Sequence, residues 1–146
     1  MLEDVPVHGD ELGPKNDSNI RIFFENIDGF GIDKRSPAYN DNKKIEYFNS
    51  LMSHLNADIY GGVETRTNWS MLPGTHNIER VLDLREGNCT ITAHNEHEQF
   101  SIAQQGGTFL VATTEAAELV CKKGKDPTGL GRWCWLKLSG TTSTTE

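Results

Sequence analysis

The sequence is short of the features that would make its function quickly legible. It has only three cysteines in 146 residues, Cys89, Cys121 and Cys134. An odd number without close spacing excludes a disulfide framework, so reduced, mostly buried thiols are expected. No apolar run is long enough to span a bilayer, which excludes a transmembrane segment. The opening residues "MLEDVPVHGDEL" carry acid where a secretory signal needs a basic and then an apolar stretch. The expectation is an intracellular protein, cytoplasmic or nuclear, not secreted and without a membrane partner. The sequons at Asn16, Asn68 and Asn88 then read as chance matches. Basic residues are also scarce, with 14 Lys and Arg against 21 Asp and Glu, a formal net charge of −7. That weighs against a module held to nucleic acid by one broad basic face. It leaves open an acidic site that binds a metal and, through it, a phosphate. There is no Gly-x-Ser-x-Gly elbow, and no cysteine has a marked histidine partner, so nucleophilic catalysis carries little weight.

The length and a hydrophobic content of 36% suit one globular domain with a modest core. Residues 1–19 read as a flexible acidic lead-in, with five acids and one base. In "IRIFFENIDGF", Ile20, Ile22 and Phe24 alternate with Arg21, Phe23 and Glu25, the pattern of a strand. The pattern breaks at Asn26-Ile27-Asp28-Gly29. A loop follows to Asn40, and Asn40 or Asp41 can cap a helix. Ile45, Phe48, Leu51, Met52 and Leu55 give that helix an apolar face, and Asn56 stops it. Ile59–Val63 is a second strand ending in Glu64, so strand, helix and strand read as a parallel βαβ unit. Beyond it, short strands are expected over Asn77–Leu84, Cys89–His94, Gln99–Ala103 and Gly107–Ala112. Pro73-Gly74 marks a turn, residues 113–120 a helical turn or loop, and "KKGKDPTGLG" a hairpin-like turn before a strand at Arg132–Leu138. The fold class is α/β, with mixed parallel and antiparallel strands. Ile22 and Phe24, with residues around Phe109 and Trp135, are expected to share an apolar face.

Four constellations carry possible chemistry. Asn26 and Asp28 are two apart, and residues two apart on a strand share a side. Glu64 ends the neighbouring strand, at the carboxyl edge where parallel sheets build their sites. One or two carboxylates with water and phosphate oxygens suffice for Mg²⁺. On spacing alone, the plainer reading prevails, that these are solvated polar groups at loop ends. Cys89, His94 and His97 invite a zinc reading but lack a fourth ligand, so ordinary surface or partly buried histidines are preferred. "GKDPTGLGRW" offers glycines and Arg132 to a phosphate, yet lacks the Lys-Ser/Thr of a P-loop. Trp133 and Trp135 share a face by alternation, and core packing is expected ahead of base stacking.

Taken in order, "FFENIDGF", a helix, "ADIYGGVETR", "QQGGTFLVAT" and "DPTGLGRWCWLKL" resemble the first half of the endonuclease/exonuclease/phosphatase superfamily, over Ile20 to Leu138. "VETR" is most similar to the retrotransposon endonucleases and the apurinic-site repair nucleases. The resemblance implies a two-sheet α/β sandwich, of which this chain would be the N-terminal half, incomplete at the C-terminus, over 20–138, with 139–146 a polar tail. It implies Glu64 as the principal carboxylate of a Mg²⁺ site (Mn²⁺ as substitute), with Asn26 and Asp28 as the other metal-site and catalytic residues. It implies Arg66 as a contact to phosphate, Asp58 as structural, and nucleic acid as partner, DNA ahead of RNA. Val63 stands where Gln is usual, and Phe24-Glu25 replace the usual residues before the Asn. The family's later Tyr, Asp-x-Asn and Asp-His motifs have no counterpart up to Glu146. The expected function is the N-terminal part of a Mg²⁺-dependent phosphodiesterase of nuclease type. The alternatives are a non-catalytic fragment of that fold, or a phosphatase for a small phosphorylated molecule.

Overall fold

The computed structural model describes residues 12–32, 43–72, 77–84, 87–98 and 101–140. The expected cap at Asn40 or Asp41, the Pro73-Gly74 turn and the last six residues of the tail lie outside them.

β1 (Ile22–Asn26), α1 (Lys43–Leu55) and β2 (Ile59–Val63) form the expected βαβ unit, with β1 and β2 parallel neighbours. Helix α1 buries Ile45, Phe48 and Met52, which fall at i, i+3 and i+7 and so line one stripe. That stripe packs on one face of the sheet, against Phe23, Tyr60, Phe109 and Val111. Phe23, Phe30, Phe48 and Phe109 interlock there, with Phe23 6.2 Å from Phe48. Phe30 lies 5.6 Å from Phe109 and 6.3 Å from Phe48, and Phe48 lies 5.7 Å from Phe109 at 72°. Such tilted pairs each add about 0.5–1.5 kcal/mol beyond area burial. The lead-in is tied down where it meets the sheet. Lys15 pairs with Asp58, whose other oxygen accepts the Arg21 amide at 2.7 Å, and Arg21 Nη2 donates to Gly13 O at 2.9 Å.

β3 (Cys89–Ala93) and β4 (Thr108–Ala112) complete a four-stranded mixed sheet in the order β1-β2-β4-β3. A short helix (Thr114–Leu119) leads into β5 (Val120–Lys125), which pairs with β6 (Cys134–Leu138) as a separate antiparallel sheet. This hairpin covers the second face of the large sheet through Val120, Leu136 and Leu138, which pack with Ile59, Ala112 and Cys89. The chain is therefore α/β with two sheets. No helix of the described residues is long and apolar enough to cross a membrane.

Several expectations need correction. The segment Asn77–Leu84 is not a strand. Ile78–Val81 is a helical turn capped by Asn77, whose side chain accepts the Arg80 amide, and Ile78 and Leu82 are buried one turn apart. Of Gln99–Ala103, residues 101–103 are described, and Ala103 makes one isolated bridge to Thr67. The "KKGK" residues belong to β5, so the turn is confined to the residues after Lys125. The proposed apolar face also divides. Ile22 and Phe24 are 66% and 58% exposed on the hairpin side of β1, which the hairpin does not cover. Phe109 is fully buried on the opposite side, because it pairs with Gly62 and Gly62 with Glu25. Trp133 and Trp135 are not core residues, being 46% and 40% exposed.

Candidate functional site

One rim of the large sheet gathers one end of each of its four strands. Asn26 pairs with Val63, Val63 with Thr108 and Thr108 with Ala93, so these residues form a single row across all four strands. The loops that carry the candidate residues rise from this row. They remain stitched together above it. The Ile27 amide donates to Val63 O at 3.0 Å, Gly29 to Glu64 O at 2.7 Å and Phe30 to Thr65 O at 3.2 Å. On the other side, the amides of Thr65 and Arg66 donate to Gly107 O and Gly106 O.

Strand alternation does not bring Asn26 and Asp28 together. β1 ends at Asn26, and Asp28 has φ 51°, in the left-handed region. Instead the Asn26 side-chain oxygen accepts the Asp28 amide at 3.0 Å, an Asx turn that keeps the two adjacent. Glu64 and Arg66 are left-handed too, at φ 58° and 51°. Such backbone costs on the order of 1–3 kcal/mol per residue and persists where the surroundings enforce it, here by the amide ladder just described. The side chains then meet. Arg66 Nη2 lies 2.8 Å from Asp28 Oδ1, and Arg66 Nε 3.8 Å from Glu64 Oε2. The aliphatic part of Arg66 crosses Gly29, where an added Cβ would sit 3.3 Å from Arg66 Cδ.

Lys44 is the residue that reading the sequence missed. Its ammonium donates to Asp28 O at 2.6 Å and Ile27 O at 3.2 Å, and stands 3.9 Å from Asp28 Oδ2. A cation in the first turn of a helix opposes the macrodipole, and that was the available signal. Lys44 also faces Glu25, whose half-buried carboxyl is pushed above its usual range by burial and pulled partly back by the ammonium. Thr65 was missed as well. It is fully buried, its hydroxyl has no hydrogen-bond partner, and it packs so closely on Gly107 that a side chain there would strike it.

In this conformation, among the described residues, the rim offers a Mg²⁺ ion one carboxylate, that of Glu64. Asp28 is committed to Arg66 and Lys44 in this conformation. Among the described residues no group of three or more His, Cys, Asp or Glu is arranged to hold a metal. Among the described residues the Glu64 carboxylate meets only the Arg66 guanidinium, at 3.8 Å, and the Asn26 side-chain oxygen keeps a second lone pair. These residues fit an ion held by a single protein carboxylate, with water and ligand oxygens completing the shell.

Asn26, Asp28, Glu64 and Arg66 thus come together, and Arg132 does not join them. Its loop packs at the β3 end of the rim, where Gly131 lies against the His94 backbone, two strand spacings or about 10 Å across from β2. The buried Asp126 carboxylate organises this loop, accepting the Thr128 amide at 2.9 Å, the Thr128 hydroxyl at 2.5 Å and the Arg132 amide at 3.3 Å. The Thr128 hydroxyl chiefly holds its carboxyl below the usual range. Cys89, His94 and His97 do not converge. Cys89 begins β3 and His94 follows its end, about 17 Å away along the strand. His97 Nε2 pairs with Thr128 O at 2.8 Å. His94 is buried with Nδ1 unpartnered, and burial and then Lys125 push its pKa down against the pull of Glu96. Compared with protein-family models and with curated proteins, the chain matches none.

Proposed function

We propose that this chain carries the metal-binding part of a Mg²⁺-dependent phosphodiesterase of the endonuclease/exonuclease/phosphatase type, with nucleic acid as the substrate. One observation carries the reading. Two parallel neighbouring strands end in register, and their hydrogen-bonded loops present Asn26, Asp28, Glu64 and Arg66 on one rim. The resemblance assigns its metal-site residues to these same positions, and their proximity supports the reading. Glu64, aided by Asn26, would hold the ion, which when bound supplies charge stabilisation at the phosphate. Arg66, half-exposed, offers a planar pair of donors to a phosphate oxygen as it turns from Asp28. Lys44 fixes the loop that bears Asp28.

The test is calorimetric titration of Mn²⁺ into the full chain and into Glu64→Ala, with supercoiled-plasmid nicking as the second readout. Loss of most Mn²⁺ binding in Glu64→Ala, with an unchanged melting curve, is the expected result. Equal affinity in the two proteins would remove the site from the rim.

A further inference from the structure

We infer that the outer face of the β5–β6 hairpin is a binding surface for single-stranded nucleic acid, separate from the Glu64 rim. The face is built by alternation along β6. Trp133 precedes the strand, and Trp135 and Lys137 follow at every second residue, so the three side chains stand in a row on the side away from the large sheet. Cys134, Leu136 and Leu138 point the other way, into the body. Across the ladder, Gly124 faces Trp135 and Lys122 faces Lys137.

Each of these pairs is costly or idle within the fold. Like charges directly opposite on paired strands destabilise a sheet. Neither Lys122 nor Lys137 has a carboxylate partner among the described residues that would relieve this. The two indoles take part in no ring pair among the described residues, although five such pairs knit the core. Trp135 has one structural task. Its ring lies over Gly124, where an added Cβ would come 2.7 Å from Cε2 and Cζ2. That lays the indole flat and leaves it 40% exposed. Trp133 has no such task and is 46% exposed.

The chemistry of the face selects its occupant. The chain as a whole is at −7, but residues 120–138 hold five bases and one acid. Lys123 and Lys125 are engaged with Thr90 O and Glu96, and Arg132 Nε lies 3.6 Å from Asp126, which leaves Lys122 and Lys137 beside the indoles. Exposed aromatic planes flanked by cations match a strand whose bases are unpaired and whose backbone is anionic. Stacking on such planes tolerates any base. A duplex hides its base faces and would gain only the charges.

The experiment is fluorescence and anisotropy titration of the full chain with labelled oligo-dT and oligo-U, in EDTA and again in Mg²⁺, over a range of salt. Trp133→Ala should weaken binding by about 5-fold to 150-fold, and Trp133→Phe by much less. Replacing both Lys122 and Lys137 by Ala should lower the slope of log affinity against log salt by about 0.7 per lysine. In EDTA, where the rim holds no metal, binding should persist with its dependence on Trp133 and the two lysines intact, so loss of the rim's metal and loss of this surface register separately. Variant folding is checked by circular dichroism. The lysine variants, on an exposed face, carry the test should a tryptophan variant unfold. Unchanged affinity and salt slope in the lysine variants would overturn the inference. So would Trp133→Ala binding as tightly as the parent, or a hairpin-dependent interaction with anionic lipid vesicles but not with oligonucleotide.

Discussion

Gly61 and Gly62 are neighbours on β2, yet an alanine at each should have different consequences. At Gly62 the new methyl would sit 2.6 Å from Phe109 Cε1, 2.9 Å from Ile27 Cγ1 and 3.1 Å from the Glu25 carbonyl oxygen. Phe109 is fully buried between Phe30 and Phe48, so its ring has nowhere to move. Overpacking of this kind costs about 1–3 kcal/mol, and the lost freedom of the unfolded chain returns only about 0.4–1 kcal/mol. The net loss is about 1–2 kcal/mol. At Gly61 the methyl would meet Leu110 Cδ2 at 2.6 Å and Phe24 Cδ2 at 2.8 Å. These are side-chain ends on the other face, and with Phe24 58% exposed and Leu110 only partly buried, both can rotate away. The two opposing effects then cancel to within about 0.5 kcal/mol.

The assay is thermal and urea unfolding of both variants, followed by far-ultraviolet circular dichroism. At about 3 °C per kcal/mol for a chain of this size, Gly62→Ala should melt about 3–6 °C below the parent and Gly61→Ala within about 2 °C of it. The effect should reach the rim. Ile27 is the residue between Asn26 and Asp28, so displacing it at Gly62 should also weaken Mn²⁺ binding. Gly61→Ala melting as low as Gly62→Ala would refute the assignment of faces on which both the core and the hairpin surface rest.

Two further outcomes are expected. Arg66→Ala removes the cation beside Asp28 and Glu64, and should raise Mn²⁺ affinity several-fold while changing stability by less than about 1 kcal/mol, since the pair is half-exposed; calorimetry showing weaker Mn²⁺ binding would contradict it. His94 has a folded-state pKa below that of the unfolded chain, so the unfolded state takes up more protons in acid and stability should fall as pH drops below about 6.5. Urea unfolding from pH 7.5 to 5 should show that loss in the parent and a flatter profile in His94→Gln.

What could be read in the sequence follows from the range of the signals. The βαβ unit was legible because its periodicities are local, period two in β1 and the 3.6-residue stripe of α1. "NIERVLDL" misled because its apolar residues satisfy alternation in part and also place Ile78 and Leu82 four apart; the Asn77 cap decides for the helix. Alternation correctly put Trp133 and Trp135 on one face, but it carries no information on which face is buried. That depends on where Leu136 and Leu138 find partners, far away in sequence on β2, β3 and β4. The clasp of Lys44 on the Asp28 loop, and of Thr65 on Gly107, likewise arises only once distant segments meet.

At the rim itself, strand alternation gives the wrong account of how Asn26 and Asp28 are held. An unbroken strand would have aimed Asn26 and Asp28 at one point as neighbours on a pleat. The left-handed turn at Asp28 instead swings its carboxylate to Arg66, which comes from an equally left-handed turn after Glu64. Two strained turns therefore face each other, and each supplies the charge that the other lacks. On the proposed reading a divalent cation and the Arg66 guanidinium compete for the same cluster of oxygens. Entry of the ion would release the guanidinium, and a phosphate oxygen is the partner best suited to receive it. Metal binding and phosphate binding would then be coupled through Asp28. Mn²⁺ affinity should rise in the presence of a phosphodiester in the parent chain, and Asp28→Asn should reduce that coupling. An equal gain in both proteins would show that Arg66 acts without regard to Asp28.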